Sequence, residues 1–227
     1  MSYNSIITHP VTQAVISAVV VLPLLTMLYF AFEPAVAVGQ ANEDFTVTQQ
    51  IDGEIAFEVA PEDVTMDPAI PGLTGGTSNG STTFAVSTNN PSGYTVDIQF
   101  ADGEAMQYES GSGFIPNFGG TIEFDFESNV AANAAAFGFS MDGPNVVSNL
   151  QSDGTSECGS GGSDPGSCWV LDSDASLGRT IVDSDSSTPS AGEAHDIYFR
   201  VHVNENPEPS LELGFYTATA TLTATEK

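Results

Sequence analysis

Two hydrophobic periodicities divide the chain. From Ala14 to Phe32 the run AVISAVVVLPLLTMLYFAF is almost wholly apolar and carries no charge. As a helix it would reach about 28 Å, close to the thickness of a bilayer core. A stretch this long without a polar face suits a soluble helix poorly. One N-terminal hydrophobic helix is therefore expected within residues 1–41, serving as a signal peptide or as a transmembrane anchor. Ala35-Val36-Ala37 offers the small-x-small pattern of signal cleavage, whereas the length of the run favours retention. No Lys or Arg precedes the run, so charge bias assigns it no orientation. Both readings export residues 42–227.

From Phe45 the period becomes two. FTVTQQI sets Phe45, Val47 and Ile51 on one parity, and EIAFEVA sets Ile55, Phe57 and Val59 against Glu54 and Glu58. Phe84 and Val86, then Tyr94, Val96, Ile98 and Phe100, continue the alternation on either side of NNPSG, which predicts a hairpin-like turn. TIEFDFE aligns Ile122, Phe124 and Phe126, and AFGFSM aligns Phe137, Phe139 and Met141. DIYFRVHV aligns Ile197, Phe199, Val201 and Val203, and FYTATATLTAT closes the series. Half-buried strands separated by Gly, Ser, Asn and Pro predict an all-β fold. The expected form is one antiparallel β-sandwich, jelly-roll or immunoglobulin-like, over 42–227. The best helix candidate in this part is short, Pro144 to Gly154, with Pro at its start and Gly at its end.

Charge narrows the partners. Three Lys plus Arg stand against 30 Asp plus Glu, a formal net charge of −27. Such a field repels phosphate backbones, so nucleic-acid binding is set aside, and it repels anionic membrane surfaces too. It suits a solvated surface in saline or divalent-rich water, where screening relieves self-repulsion. Any membrane contact would run through residues 14–32.

Motifs for chemistry are few. His195 and His202 are an odd number of residues apart on one predicted strand, so they face opposite sides and share no metal. Gly76-Thr77-Ser78-Asn79-Gly80 has the spacing of a nucleophile elbow, but a strand follows it where a helix is needed. Neither a catalytic residue nor a cofactor is assigned. Asp172, Asp174, Asp183 and Asp185 place carboxylates at i and i+2 in loops, a pattern calcium accepts, without the Gly and Glu of an EF-hand loop. They are weak candidates for a structural calcium site. Cys158 and Cys168, the only cysteines, lie too far apart in sequence for a C-x₂-C metal or redox motif. In an exported chain they are expected to form one disulfide, worth about 3 kcal/mol by loop-closure entropy. Trp169 and Tyr108 are aromatics that would pack or stack on a ligand, with packing favoured for Trp169 by the apolar Val170 and Leu171 after it.

The order of these segments resembles a family of exported surface proteins of Parcubacteria-like candidate-phyla bacteria. The opening FTVTQQIDGEIAFEVAPEDVTMDPAIPGLTGGTSNGSTTFAVSTNNPSGYTV, the Cys–Gly/Ser loop–Cys-Trp and the closing DIYFRVHVNENPEPSLELGFYTATATLTAT carry the resemblance. It implies an envelope or extracellular location and brings no catalytic residues. The leader departs from secretory leaders in lacking basic residues. More loosely, the pattern is similar to the β-sandwich modules of bacterial matrix fibres, pilins and WxL domains. The expected function is that of a non-enzymatic surface or extracellular structural protein that self-associates by strand donation. NEDFTVTQQI and GFYTATATLTATEK are the candidate donors, and pairing of each within its own domain is the favoured expectation against donation. The alternative is an adhesin or glycan-binding module.

Overall fold

A computed structural model describes residues 43–152, 154, 157–159 and 167–227. The chain divides into two units, 1–50 and Ile51–Lys227. In the first, residues 43–50 are described. They have no regular secondary structure and are exposed throughout. The hydrophobic helix expected at 14–32 lies outside the described residues. Among the described residues no helix is long and apolar enough to cross a membrane.

The second unit is built of strands. One sheet has six of them. In spatial order these are β1 (Ile55–Val59), β2 (Gly76–Thr88), β10 (Glu193–Val203), β7 (Ala135–Asp142), β8 (Trp169–Leu171) and β6 (Gly119–Glu123). Facing it is a three-stranded sheet of β12 (Ala220–Glu226), β3 (Tyr94–Phe100) and β9 (Arg179–Ser184). A smaller sheet of β11 (Tyr216–Thr217), β4 (Met106–Tyr108) and β5 (Phe114–Ile115) completes the set. Every pairing between these strands is antiparallel. The all-β sandwich is thus the fold.

Alternation explains the core. Tyr94, Val96, Ile98 and Phe100 of β3 face Phe84 and Val86 of β2, Phe137, Phe139 and Met141 of β7, and Ile197, Val201 and Val203 of β10 in one apolar cluster. β7 is buried on both faces. Its second face meets a smaller cluster in which Phe126 and Trp169 pack on Ala136 with Phe118 and Tyr198. Gly138 leaves room there, because a Cβ would come within 2.8 Å of the Phe126 ring.

Strand register gives the sandwich two ends. Val86 pairs with Glu193, and Tyr94 with Ser184 and Glu226, so these residues share one end, called lower here. Gly76 pairs with Val203, and Phe100 with Ala220, at the upper end. The chain enters the unit at the lower end, where Glu54 N–H donates to Asn89 Oδ1 (2.8 Å) and Asn89 Nδ2 donates to the Asp52 carbonyl (3.0 Å).

Several local expectations are corrected. FTVTQQI has no regular secondary structure, so the expected strand does not form there. NNPSG joins strands of different sheets and so is not a hairpin. Its Gly93 has φ +87° and approaches Ser184 so closely that a Cβ would lie 2.0 Å from that carbonyl oxygen. TIEFDFE is a strand only as far as Glu123. Phe126 instead opens a one-turn helix, α1 (Phe126–Asn129), which inserts its ring into the second cluster. The helix expected from Pro144 to Gly154 shrinks to a 3₁₀ turn, Ser148–Leu150, that buries Leu150. Val59 turns outward because a bulge between Phe57 and Val59 flips its parity. The C-terminal segment, by contrast, pairs within its own unit as expected, β11 with β4 and β12 with β3.

Candidate functional site

Most of the large exposed apolar side chains of the second unit gather at one end, Ile51 and Val59 being the exceptions. Leu73, Phe114, Leu177, Leu213 and Phe215 all lie toward the upper end of the second unit. Phe114 sits on β5 beside β4, since Gln107 pairs with Phe114. The β4–β11 pair brings Tyr108 and Tyr216 together, with ring centroids 5.2 Å apart. Tyr108 Oη donates to the Leu213 carbonyl (3.0 Å), and Glu109 N–H donates to the Phe215 carbonyl (3.0 Å). Tyr216 Oη donates to the Glu212 carbonyl (3.2 Å) and accepts from the Glu212 N–H (2.9 Å). These bonds hold the 211–216 loop with Leu213 99% and Phe215 77% exposed. Gly214, at φ +155°, is required because a Cβ would meet the Tyr108 ring at 2.5 Å. The result is a rigidly backed aromatic and aliphatic patch on a strongly acidic molecule. Grouped exposure of this kind marks an interaction surface, whereas single exposed apolar residues do not. Burial pushes the Tyr216 hydroxyl pKa up, so it stays a donor at neutral pH.

Of the two sequence-selected aromatics, Tyr108 belongs to this patch and Trp169 does not. Trp169 is 4% exposed. Phe126 meets its ring edge-to-face at 5.4 Å, and the Arg200 guanidinium lies 4.4 Å from its ring centre. Arg200 is held there by Asn79 Oδ1 (2.7 Å). An open groove runs past Glu123, Asp125, Trp169 and Arg200, but the Trp169 face toward it is taken by Arg200. Beside it, Cys158 and Cys168 form the disulfide, with Cα atoms 5.8 Å apart, within the usual span.

The four acidic candidates are not brought to one point. Asp172 receives Arg179 through Nε at 2.8 Å and through Nη2. Asp174 caps the 3₁₀ turn Ala175–Leu177 by accepting from Ser176 N–H (3.2 Å). Asp183 and Asp185 share the Lys227 ammonium, which raises its pKa. The chain's three basic side chains therefore all meet acidic or aromatic partners within the second unit. No cluster of three or more metal-ligating side chains forms among the described residues.

The two histidines do face opposite sides of β10. His202 meets Thr77 Oγ1 at 2.8 Å on one face. His195 is 1% exposed on the core face, stacked on Phe84 at a 5.0 Å centroid distance. Tyr94 Oη donates to Glu193 Oε2 (2.9 Å) and lies 3.2 Å from His195 Nε2, while Asn145 Nδ2 donates to the same Glu193 oxygen (3.0 Å). His195 Nδ1 has no partner among the described residues. Burial lowers the His195 pKa to about 4, against the opposing charges of Glu193, Asp196 and Asp142. Burial, with the Glu193 hydrogen bond and charge, raises that of Tyr94. This network ties β3 to β10 across the two sheets at the lower end. Its inner members, Tyr94 and His195, are buried, and it serves as a clamp.

Tyr108 was the one legible member of the upper patch. Leu213, Phe215 and Phe114 were missed. The signal available was SLELGFYT, in which apolar residues alternate without the pairing partners that would bury them. No protein-family model and no curated protein matches this chain.

Proposed function

We propose that this protein is a non-enzymatic structural subunit of the cell surface or extracellular matrix, exported through its N-terminal hydrophobic run and working by contacts between copies. The observation that carries the reading is the grouping of Leu73, Phe114, Leu177, Leu213 and Phe215 at one end of an otherwise acidic β-sandwich. A net charge of −27 keeps copies apart at low ionic strength, and salt water screens that repulsion within about 10 Å. The resemblance of the opening and closing segments to exported surface proteins supports the same location. The disulfide suits an oxidising compartment. Protease shaving of intact native cells, with immunogold labelling, tests it. The expected result is cleavage and labelling without lysis. Protection of the chain until the cells are broken would refute a surface role.

A second reading is glycan binding. The Tyr108–Tyr216 pair and the exposed Phe215 favour it, because sugar rings stack on such faces. The Trp169 face is less available for this, being 4% exposed. Glycan-array signal lost in Phe215→Ala and kept in Trp169→Phe would favour this reading over the first.

A further inference from the structure

We infer that two copies of this protein pair edge to edge through β12, antiparallel about a two-fold axis at Thr223, so that their three-stranded sheets join into one. The inference rests on the reading that copies contact one another, and it names a contact separate from the upper patch. β12 is an outer strand of the β12–β3–β9 sheet. Its register with β3 runs without a bulge from Ala220 opposite Phe100 to Glu226 opposite Tyr94. Ala101 N–H donates to the Thr219 carbonyl (2.9 Å) and Lys227 N–H to the Gly93 carbonyl (3.2 Å). Backbone direction alternates along a strand. Thr221, Thr223 and Thr225 therefore also turn their backbone groups to β3, while Ala220, Leu222, Ala224 and Glu226 direct theirs outward. The outward N–H and C=O groups of Ala220, Leu222 and Ala224 have no partner among the described residues.

Proteins blunt such edges with charge, proline, bulges or a covering segment. The other outer strands of the two larger sheets are treated in these ways. β1 is bulged between Phe57 and Val59 and carries Glu58. β6 is irregular between Gly119 and Glu123. The outer side of β9 is covered, since Val147 N–H donates to the Ile181 carbonyl (3.1 Å) and Asp183 N–H to the Asn145 carbonyl (2.9 Å). β12 has no Pro, no Gly and no bulge. Its one charge, Glu226, stands at the lower end, where the carboxylate accepts from Thr88 Oγ1 (3.2 Å). Residues 213–225 carry no charge at all, in a chain of net charge −27.

That neutrality selects the occupant. An edge suited to a cationic foreign strand would carry acidic side chains, whereas this one carries threonine, alanine and leucine. A second copy fits it. Rotation about Thr223 sets Leu222 opposite Ala224 of the other copy, Thr221 opposite Thr225, and Ala220 opposite Glu226, so no like charges meet on the seam. Outward groups then face outward groups, forming about eight backbone hydrogen bonds. Threonine pairs line the solvent side, and Leu222 with Ala224 continues the core side. Salt screens the repulsion between the rest of the two acidic bodies. The contact is isologous and closes at a dimer. Because the paired strands run in opposite directions, the dimer presents one upper patch at each end. A contact this short belongs with weak, reversible interfaces.

The test uses the full chain in nanodiscs of neutral lipid, one chain per disc, with single cysteines placed on β12. Cys158 and Cys168 are already joined. In the paired register Thr223 meets its own counterpart at a non-hydrogen-bonded position, with Cα atoms about 4.5 Å apart, within disulfide span. Thr221 meets Thr225 and lies about 14 Å along the seam from its own counterpart. With copper phenanthroline as oxidant, Thr223→Cys should give a disulfide-linked dimer about tenfold faster than Thr221→Cys or Thr225→Cys alone, and faster in 1 M than in 0.1 M NaCl. An equimolar mixture of the Thr221→Cys and Thr225→Cys chains should link as Thr223→Cys does. Adding Ala224→Pro to Thr223→Cys removes an outward N–H that no intrachain bond uses. It should abolish linkage while circular dichroism and Trp169 fluorescence stay unchanged. Equal rates at the three positions, or no linkage of Thr223→Cys in either salt, would overturn the inference. Linkage that survives Ala224→Pro would overturn it too, because backbone pairing would not then be the contact. Cell shaving reads location alone, so the surface reading stands or falls separately.

Discussion

The two ends of the sandwich solve different problems with similar residues. At the lower end Tyr94 and His195 are buried between the sheets and join the half-buried Glu193, which in turn accepts from the exposed Asn145. At the upper end Tyr108 and Tyr216 bond only backbone carbonyls and N–H groups, and the apolar side chains beside them remain in solvent. An aromatic whose ring lies between two sheets contributes to stability through all its contacts. One that lies on a loop outside the sheets contributes little. The lower end is where the fold is held, and the upper end is where surface is offered.

The sharpest way to break this comparison is a matched pair of truncations. Tyr94→Ala removes a fully buried ring and strands Glu193 and His195, so urea unfolding should show a loss of about 4 kcal/mol. Phe215→Ala should change stability by less than about 0.5 kcal/mol. Equal costs at the two sites would show that the upper ring is structural and end the distinction.

Acid sharpens the same contrast. The His195 pKa is about 4 in the fold and about 6.5 in an unfolded chain. The unfolded state therefore binds the proton first, and stability falls as pH drops from about 6.5 to about 4, by up to about 3 kcal/mol. The loss is complete below the folded pKa and absent above the unfolded one. Denaturation midpoints across this window should diverge between the native chain and His195→Leu, whose curve should lack this component. Parallel curves would mean that His195 is solvated or paired in solution.

A smaller effect belongs to the upper end. Gly214→Ala forces a Cβ against Tyr108 at positive φ and should cost about 1 kcal/mol while changing the near-ultraviolet tyrosine signal. Unchanged spectra would show that the 211–216 loop does not depend on the Tyr108 backing.

Much of the fold was legible. Alternation in VDIQF, AFGFSM and DIYFRVHV placed the right side chains inward, because a strand buries every second residue wherever it pairs. The odd spacing of His195 and His202 fixed their opposite faces for the same reason. Less of the site could be read. Tyr108 stood out as an aromatic, but Leu213 and Phe215 looked like ordinary members of a strand-like run. Whether such a run is buried depends on the partner it finds, and Tyr216 found one while Phe215 did not.

Sequence alone determined the all-β class, the acidity and the disulfide. These depend on local period, on counting ionisable groups, and on two cysteines having one way to pair. Tertiary structure decided which strands meet, that Phe126 leaves its alternation for a helical turn, and that FTVTQQI forms no strand. It also gathered residues from 73, 114, 177 and 211–216 at one end. Pairing and closure join positions a hundred residues apart, and no local pattern encodes which of two equally apolar strands will be covered.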